Sequence, residues 1–216
     1  MGTRPTANVY VDGFNLYNRA LRQTRYKWLD LEAMSQRLLR RYDIHRVRYF
    51  TARIKVRQDA QAPARQAAYL RAIAANPKVT VHLGQFLITR TWMPAHPLEY
   101  DSSGDVVKVQ VRKTEEKGSD VNIASHMMFD AFRDDADAFV LVLVSNDCDL
   151  AETMRLLSIG MRRTTGIIFP TKNPSNELLS TEPAIIRQVR EGTLRFSQMP
   201  ETVADLNGAV HRPAAW

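Results

Sequence analysis

Val140-Leu-Val-Leu-Val-Ser-Asn-Asp-Cys-Asp149 is an apolar run that ends in two carboxylates. A short, unbroken stretch of β-branched and Leu residues bounded by polar ones predicts a strand buried on both faces. Such strands belong to parallel sheets covered by helices on both sides, and ligands bind beyond their carboxyl ends. Asp147 and Asp149 stand at that end, and their i, i+2 spacing aims both carboxylates the same way if the chain is still extended. Like charges placed together call for a cation, and hard divalent ions prefer carboxylate oxygen.

Two further segments each deliver an acid to a similar position. Asn8-Val-Tyr-Val-Asp12 is a second short apolar run ending in Asp, followed by Gly13-Phe14-Asn15. Lys117-Gly-Ser-Asp120 precedes the helix-patterned stretch from Val121 to Phe132, so Asp120 falls at a helix start, where negative charge is favoured. Any one of these acids reads most simply as a helix cap or turn former. Three of them converging on strand ends and a helix start are a more specific signal.

Val11-Asp-Gly-Phe-Asn15, Lys117-Gly-Ser-Asp-Val121 and Ser145-Asn-Asp-Cys-Asp149 resemble, in order, the three signature blocks of the NYN domain family. The resemblance covers roughly residues 7–170. It implies a PIN-like α/β fold related to PIN-domain ribonucleases and flap-type nucleases, with Asp12, Asp120, Asp147 and Asp149 as the acidic cluster holding one or two Mg²⁺ or Mn²⁺ ions. Asn15 is implied as a nearby polar partner. The implied reaction is phosphodiester hydrolysis by a metal-activated water, leaving a 5′-phosphate and a 3′-hydroxyl. Some relatives of the family carry unrelated labels, aromatic-ring hydroxylation among them.

Composition constrains the reading independently. The 216 residues suit one domain, and 30 Lys+Arg against 23 Asp+Glu leave a net charge of +7. Arg dominates the basic side, which suits bidentate phosphate contacts. A basic surface around a local acidic cluster fits a nuclease, although many basic proteins bind no nucleic acid specifically. The single cysteine, Cys148, forms no intramolecular disulfide framework. No run reaches membrane-spanning length and the N-terminal residues lack a signal-peptide core, so the expected setting is cytoplasmic and the expected partner is nucleic acid, RNA first, with no membrane. A homo-oligomer stays open.

The remaining pattern predicts an α/β, PIN-like or Rossmann-like three-layer sandwich with a mainly parallel central sheet. One domain over residues 1–195 is followed by a C-terminal tail over 196–216. A helix starts at Asn15, Asp30 caps a second to about Tyr42, and His45 to Ile54 alternates as a half-exposed strand. Gln58 to Ala75 reads as a helix with Pro63 in its first turn, and Lys78 to Gln85 as a strand. Residues 86–113 break the rhythm: Phe86 to Trp92 and Val106 to Arg112 read as a hairpin excursion whose base lies beside the proposed site. Strands at 138–145 and Thr164 to Phe169 flank a helix from Leu150 to Ser158. Short helices are expected near Asn173 to Asn176 and from Glu182 to Arg190.

Asn15 could orient a metal water or a phosphate, or simply cap a helix. Ser145 and Asn146 could bond Asp147 or a phosphate, with a turn role as the default. Lys117 is either a point charge for substrate phosphate or a solvated lysine. For nucleic-acid contact the first candidates are Arg22, Arg25 and Lys27, interleaved with Tyr26 and Trp28 that could stack on bases. Arg90, Trp92 and Lys113 come second. Asp134, Asp135 and Asp137 precede the strand at 138 and read as a solvated loop. His126, six positions after Asp120, points away from it on a helix and reads as packing. Cys148 reads as a small buried thiol.

Three other activities compete. An RNA-binding module with little turnover would tend to lose acids, whereas all four stand here. A haloacid-dehalogenase-type phosphatase wants an Asp where Phe14 stands, and is rejected. An oxygen-dependent hydroxylase finds no G-x-G-x-x-G fingerprint and no His-rich iron site in the chain.

Overall fold

The computed structural model describes residues 4–56, 59–133 and 139–216. The acidic run Asp134, Asp135 and Asp137 lies outside these residues. Among those described, seven strands form one sheet in the order β4-β3-β2-β1-β5-β6-β7. The strands are β1 (Thr6–Asp12), β2 (Asp43–Ala52), β3 (Val79–Pro94), β4 (Lys108–Lys117), β5 (Phe139–Val144), β6 (Thr165–Phe169) and β7 (Ile185–Gln188). All neighbours pair in parallel except β3 with β4.

Two-residue alternation along each strand sends side chains to opposite faces, and each face has its own core. Val9 and Val11 of β1 and Val142 and Val144 of β5 pack beneath α2 (Leu31–Leu38) and α3 (Ala62–Ala74), with Met34, Tyr69 and Ile73. Tyr10 of β1, Phe50 of β2 and Leu141 and Leu143 of β5 face α4 (Ser119–Ala131), α5 (Ala151–Arg155) and α6 (Asn176–Leu179), with Ile123, Met127 and Met154. The result is the three-layer α/β sandwich expected, and β5 is buried on both faces because both layers cover it.

On the second face a polar group is embedded in this apolar layer. The Arg48 guanidinium donates twice to Asp130, Nε to Oδ2 at 3.1 Å and Nη2 to Oδ1 at 2.9 Å. The Tyr10 hydroxyl donates to Asp130 Oδ2 at 2.6 Å. Both carboxylate oxygens are thereby paired, which is what allows a charge to sit there.

Several elements differ from expectation. Val79–Pro94 is one strand, not two: its first half pairs with β2 in parallel and its second half with β4 antiparallel. β4 begins later and runs on to Lys117. The segment read as a helix from Glu182 to Arg190 instead contains β7, because pairing with β6 and burial of Ile185 outweigh local propensity. A short helix, α7 (Glu191–Arg195), follows it. The first helix, α1 (Gly13–Leu16), starts two residues early and widens into a π-helical turn over Tyr17–Leu21. Asp30 does cap α2, accepting from the Ala33 N–H at 3.0 Å, but the helix ends at Leu38.

The C-terminal residues cover the α2–α3 face. β8 (Thr202–Asp205) and β9 (Gly208–His211) form a hairpin, and Asp205 receives two bonds from Arg71. Trp216 packs on Trp28 and Tyr69. Trp28 has no exposed surface and its indole N–H donates to the Pro200 carbonyl at 2.8 Å. Tyr26 is 8 % exposed, with its hydroxyl on Glu191. These two rings therefore pack inside the protein and cannot stack on bases, contrary to the sequence reading, which had no means of seeing the C-terminal segment fold over them.

Candidate metal centre

The chain steps outward from β1 to β2 and β3 on one side, and from β5 to β6 and β7 on the other. Strand order therefore reverses between β1 and β5, and the crevice beyond the carboxyl ends at such a switch point is where α/β sheets bind ligands. Val11 pairs with Val144, so Asp12 and Ser145 emerge side by side at that edge.

Asp12 is the last residue of β1, 4 % exposed, and caps α1. Its Oδ1 accepts from the Asn15 N–H at 2.9 Å and its Oδ2 from the buried Ser145 hydroxyl at 2.9 Å. The Ser145 oxygen in turn accepts from the Asp147 N–H at 3.0 Å. Asn15 Oδ1 accepts from the Asn146 N–H at 3.0 Å, and Asn146 Oδ1 from the Ser175 N–H at 2.8 Å. Asn15, Ser145 and Asn146 thus use these atoms to lock α1, the end of β5 and the loop before α6 together, aiming the carboxylates.

Gly13 makes this packing feasible. A Cβ there would lie 2.6 Å from Tyr49 Cζ and 2.7 Å from the Phe50 carbonyl oxygen, so only hydrogen fits between β1 and β2 at this point.

Asp120 arrives on the first turn of α4. Gly118 precedes that helix at φ +99°, a left-handed conformation that glycine adopts without strain. One carboxylate oxygen each from Asp12, Asp120 and Asp147 lie within 4.8 Å of one another. Asp149 is more exposed and groups with Asp147 and Cys148 on the outer side of the cluster. The reason is local: Asp147 caps a 3₁₀ turn over Cys148–Leu150, its Oδ1 accepting from the Asp149 N–H at 3.1 Å. The chain leaves the extended conformation after Asp147, yet one carboxylate oxygen each of Asp147 and Asp149 still lie within 4.8 Å. The same turn leaves Cys148 exposed rather than buried, which corrects the sequence reading.

Electrostatics follow the geometry. Burial raises the Asp12 pKa, and the charges of Asp147 and Glu116 add to that, against the Asn15 and Ser145 hydrogen bonds. Asp120 is pushed up to about 6, first by burial and then by the charges of Asp12, Asp147, Glu116 and Asp149. Beyond burial, the neighbouring carboxylates add to the cost of ionising both groups, and a bound cation would offset that part. An all-oxygen donor set of this kind fits a hard divalent cation, and Asp12, Asp120 and Asp147 are the residues that would hold it.

Glu116 went unrecognised in the sequence. It accepts from the Ser119 N–H at 3.2 Å and hydroxyl at 2.8 Å, at the base of the hairpin beside α4. The signal that finds it is strand parity: once β4 extends to Lys117, Glu115 and Glu116 face opposite sides. Glu115 pairs with Lys113 at 2.6 Å and Lys117 at 3.7 Å. The hairpin base does lie beside the site, as Phe86 pairs with Glu116 and packs edge-on against Phe14 at 5.5 Å.

The other expected contacts are dispersed. Lys117 is exposed at the end of β4, next to Gly118. Arg22 and Arg25 are exposed on the loop after the π turn, and Lys27 donates to the Thr24 carbonyl at 2.6 Å. His126 packs against His82 and Phe50, away from the cluster as expected.

The chain is similar to known proteins in family and in fold. The NYN domain family matches residues 6–187. A curated protein named 6-hydroxy-3-succinoylpyridine 3-monooxygenase HspA, from Pseudomonas putida, is 24% identical over 236 aligned positions, covering 96% of this chain and 74% of that protein. A crystal structure of a protein of unknown function from Vibrio parahaemolyticus superposes with a TM-score of 0.52 at 15% identity, over 88% of this chain and 98% of the other. NYN domains are PIN-like and nuclease-related, typically dependent on divalent metal, and a cluster of aspartates at the carboxyl edge of the sheet suits that chemistry. On the family match over most of its length, this chain belongs to the NYN domain family.

Proposed function

We propose that the protein is a metal-dependent ribonuclease that hydrolyses phosphodiester bonds at the Asp12–Asp120–Asp147 cluster. The observation that carries this reading is the convergence of three carboxylates to within 4.8 Å at the switch point between β1 and β5. Mg²⁺ or Mn²⁺ bound there supplies Lewis acidity, which lowers the pKa of a water and offsets the charge gained by the phosphate and the leaving oxygen. Asp12 is held rigid by Asn15 and Ser145, and Asp147 is tied to the same serine. Asp149 and Glu116 border the cluster and strengthen its negative field. Asn15, Ser145 and Asn146 act as positioning residues, while Lys117, Arg22, Arg25 and Lys27 meet substrate phosphates. RNA is the preferred substrate and the cytoplasm the expected setting. No helix among the described residues is long and apolar enough to cross a membrane.

The name of the Pseudomonas putida relative offers a hydroxylase as a second reading. The donors favour the nuclease: among the described residues, neither group able to hold an ion contains histidine, whereas non-haem iron oxygenases use two His and one carboxylate. The test is cleavage of labelled single-stranded RNA and DNA with Mg²⁺ or Mn²⁺, comparing wild type with Asp147→Asn. Metal-dependent RNA cleavage that falls by about two orders of magnitude or more in the variant is expected. Equal cleavage by both proteins would contradict the site. Binding of RNA by both without cleavage would make the protein an RNA-binding module.

A further inference from the structure

Two grooves of about 660 Å³ each adjoin the carboxyl ends of β6 and β7. They share Thr171, Lys172 and Arg190 and so form one continuous trough. The arm nearer α1 is lined by Arg19 and Arg25, and the far arm by Arg40 and Arg41 at the end of α2. No carboxylate lines the far arm, and the near arm has only Glu191, which accepts from the Tyr26 hydroxyl. All six of these cations are exposed, and none is within ion-pair distance of a carboxylate among the described residues.

Six cations facing one trough against a single carboxylate repel one another, and a polyanion relieves that repulsion. Five of the six are arginines, whose planar forks match phosphate oxygens. The trough's rings are turned inward: Tyr26 and Phe169 are buried and Tyr42 packs against the core. A surface of guanidinium groups without exposed rings tracks a phosphate backbone and offers little for bases to stack on.

A short chain of bonded residues links the trough to the site. Arg19 stands one helical turn beyond Asn15, which bonds Asn146 beside Asp147. Asn146 bonds Ser175, and that residue follows directly on Lys172-Asn-Pro174, which forms a wall of the trough. A strand whose scissile phosphate meets the acid cluster has this trough as its continuation.

We propose that the trough carries the sugar–phosphate backbone of single-stranded nucleic acid away from the acid cluster, gripped by Arg19, Arg25, Lys172, Arg190, Arg40 and Arg41. The direction of the strand rests on the nuclease reading; the binding of a polyphosphate chain does not. Arg37 and Arg187 also line it, but they donate to the Phe196 and Leu38 carbonyls and serve the fold as well.

The test measures binding by fluorescence anisotropy in EDTA, with labelled tetranucleotide and an RNA of about 20 nucleotides, for wild type and an Arg40→Ala/Arg41→Ala/Lys172→Ala variant. The variant should lose about tenfold or more in affinity for the long RNA and little for the tetranucleotide. Its log K against log salt slope should flatten by about 2, from three lost contacts at roughly 0.7 each. An Arg19→Ala/Arg190→Ala variant gives the same readout from the other end if the first does not fold. Unchanged affinity for the long RNA, equal losses for both lengths, or full competition by a free nucleoside triphosphate would overturn the proposal. The two readings separate: RNA left uncut by wild type, with long-RNA affinity still lost in the variant, keeps the trough and removes the nuclease. Cleavage by wild type with the same length dependence in the variant removes the trough alone.

Discussion

Asp12 and Asp120 carry the same functional group into different surroundings, and their behaviour with pH should show it. The Asp120 pKa rises from an ordinary 3.8 to about 6 in the folded, metal-free chain. Between these values the unfolded chain has already released the proton that the folded chain keeps, so this residue subtracts stability as pH climbs from about 4 to about 6. Melting temperatures of the metal-free protein across that window should show this loss, and Asp120→Asn should remove its share of it. Added Mn²⁺ should restore stability at the upper end, since binding to the folded form alone stabilises it. A second residue-scale expectation concerns Gly13: Gly13→Ala forces a methyl into Tyr49 and the Phe50 backbone and should cost about 1–3 kcal/mol, read from the urea midpoint.

At the scale of elements, α4 does two jobs at its two ends. Its first turn brings Asp120 to the cluster, and its last turn pins Asp130 against Arg48 and Tyr10. Asp130→Ala would leave a buried guanidinium without its partner and should cost about 3–5 kcal/mol in chemical denaturation. Divalent-ion affinity of the folded fraction should change little, because the cluster lies at the other end of the helix. Trp28→Ala should likewise lower stability by about 3–5 kcal/mol while leaving RNA affinity of the folded protein intact, since the ring is sealed under the C-terminal segment. A loss of RNA affinity with normal stability would restore the stacking role that the sequence suggested.

Elements also differ in how readily the sequence reveals them. β1 and β5 are legible because a strand covered on both faces must be apolar throughout, and their terminal acids mark the ligand-binding edge. β7 is not, because four residues with Ile186 and Arg187 both exposed carry no usable period, and only pairing with β6 makes them a strand. The three aspartates of the cluster were legible from strand ends and a helix start. Glu116 and the exposure of Cys148 were not, since each depends on where a strand or turn stops by one or two residues. The basic trough is assembled from the π turn after α1, the end of α2 and the stretches around the ends of β6 and β7, far apart in sequence, so no local pattern announces it.

Over the whole molecule, charge is segregated: a partly buried acidic focus stands at the β1–β5 switch point, and a separate trough is walled by arginine. The net charge of +7 attracts a polyanion, and the focus repels it unless a cation is bound. That dependence makes the cation the central claim. The direct measurement is Mn²⁺ binding followed by electron paramagnetic resonance, in wild type and in Asp12→Asn/Asp120→Asn. Wild type should take up Mn²⁺ saturably with Mg²⁺ competing, and the double variant should lose that uptake while remaining folded. Equal uptake by both proteins, or none by wild type, would contradict a metal centre at Asp12, Asp120 and Asp147.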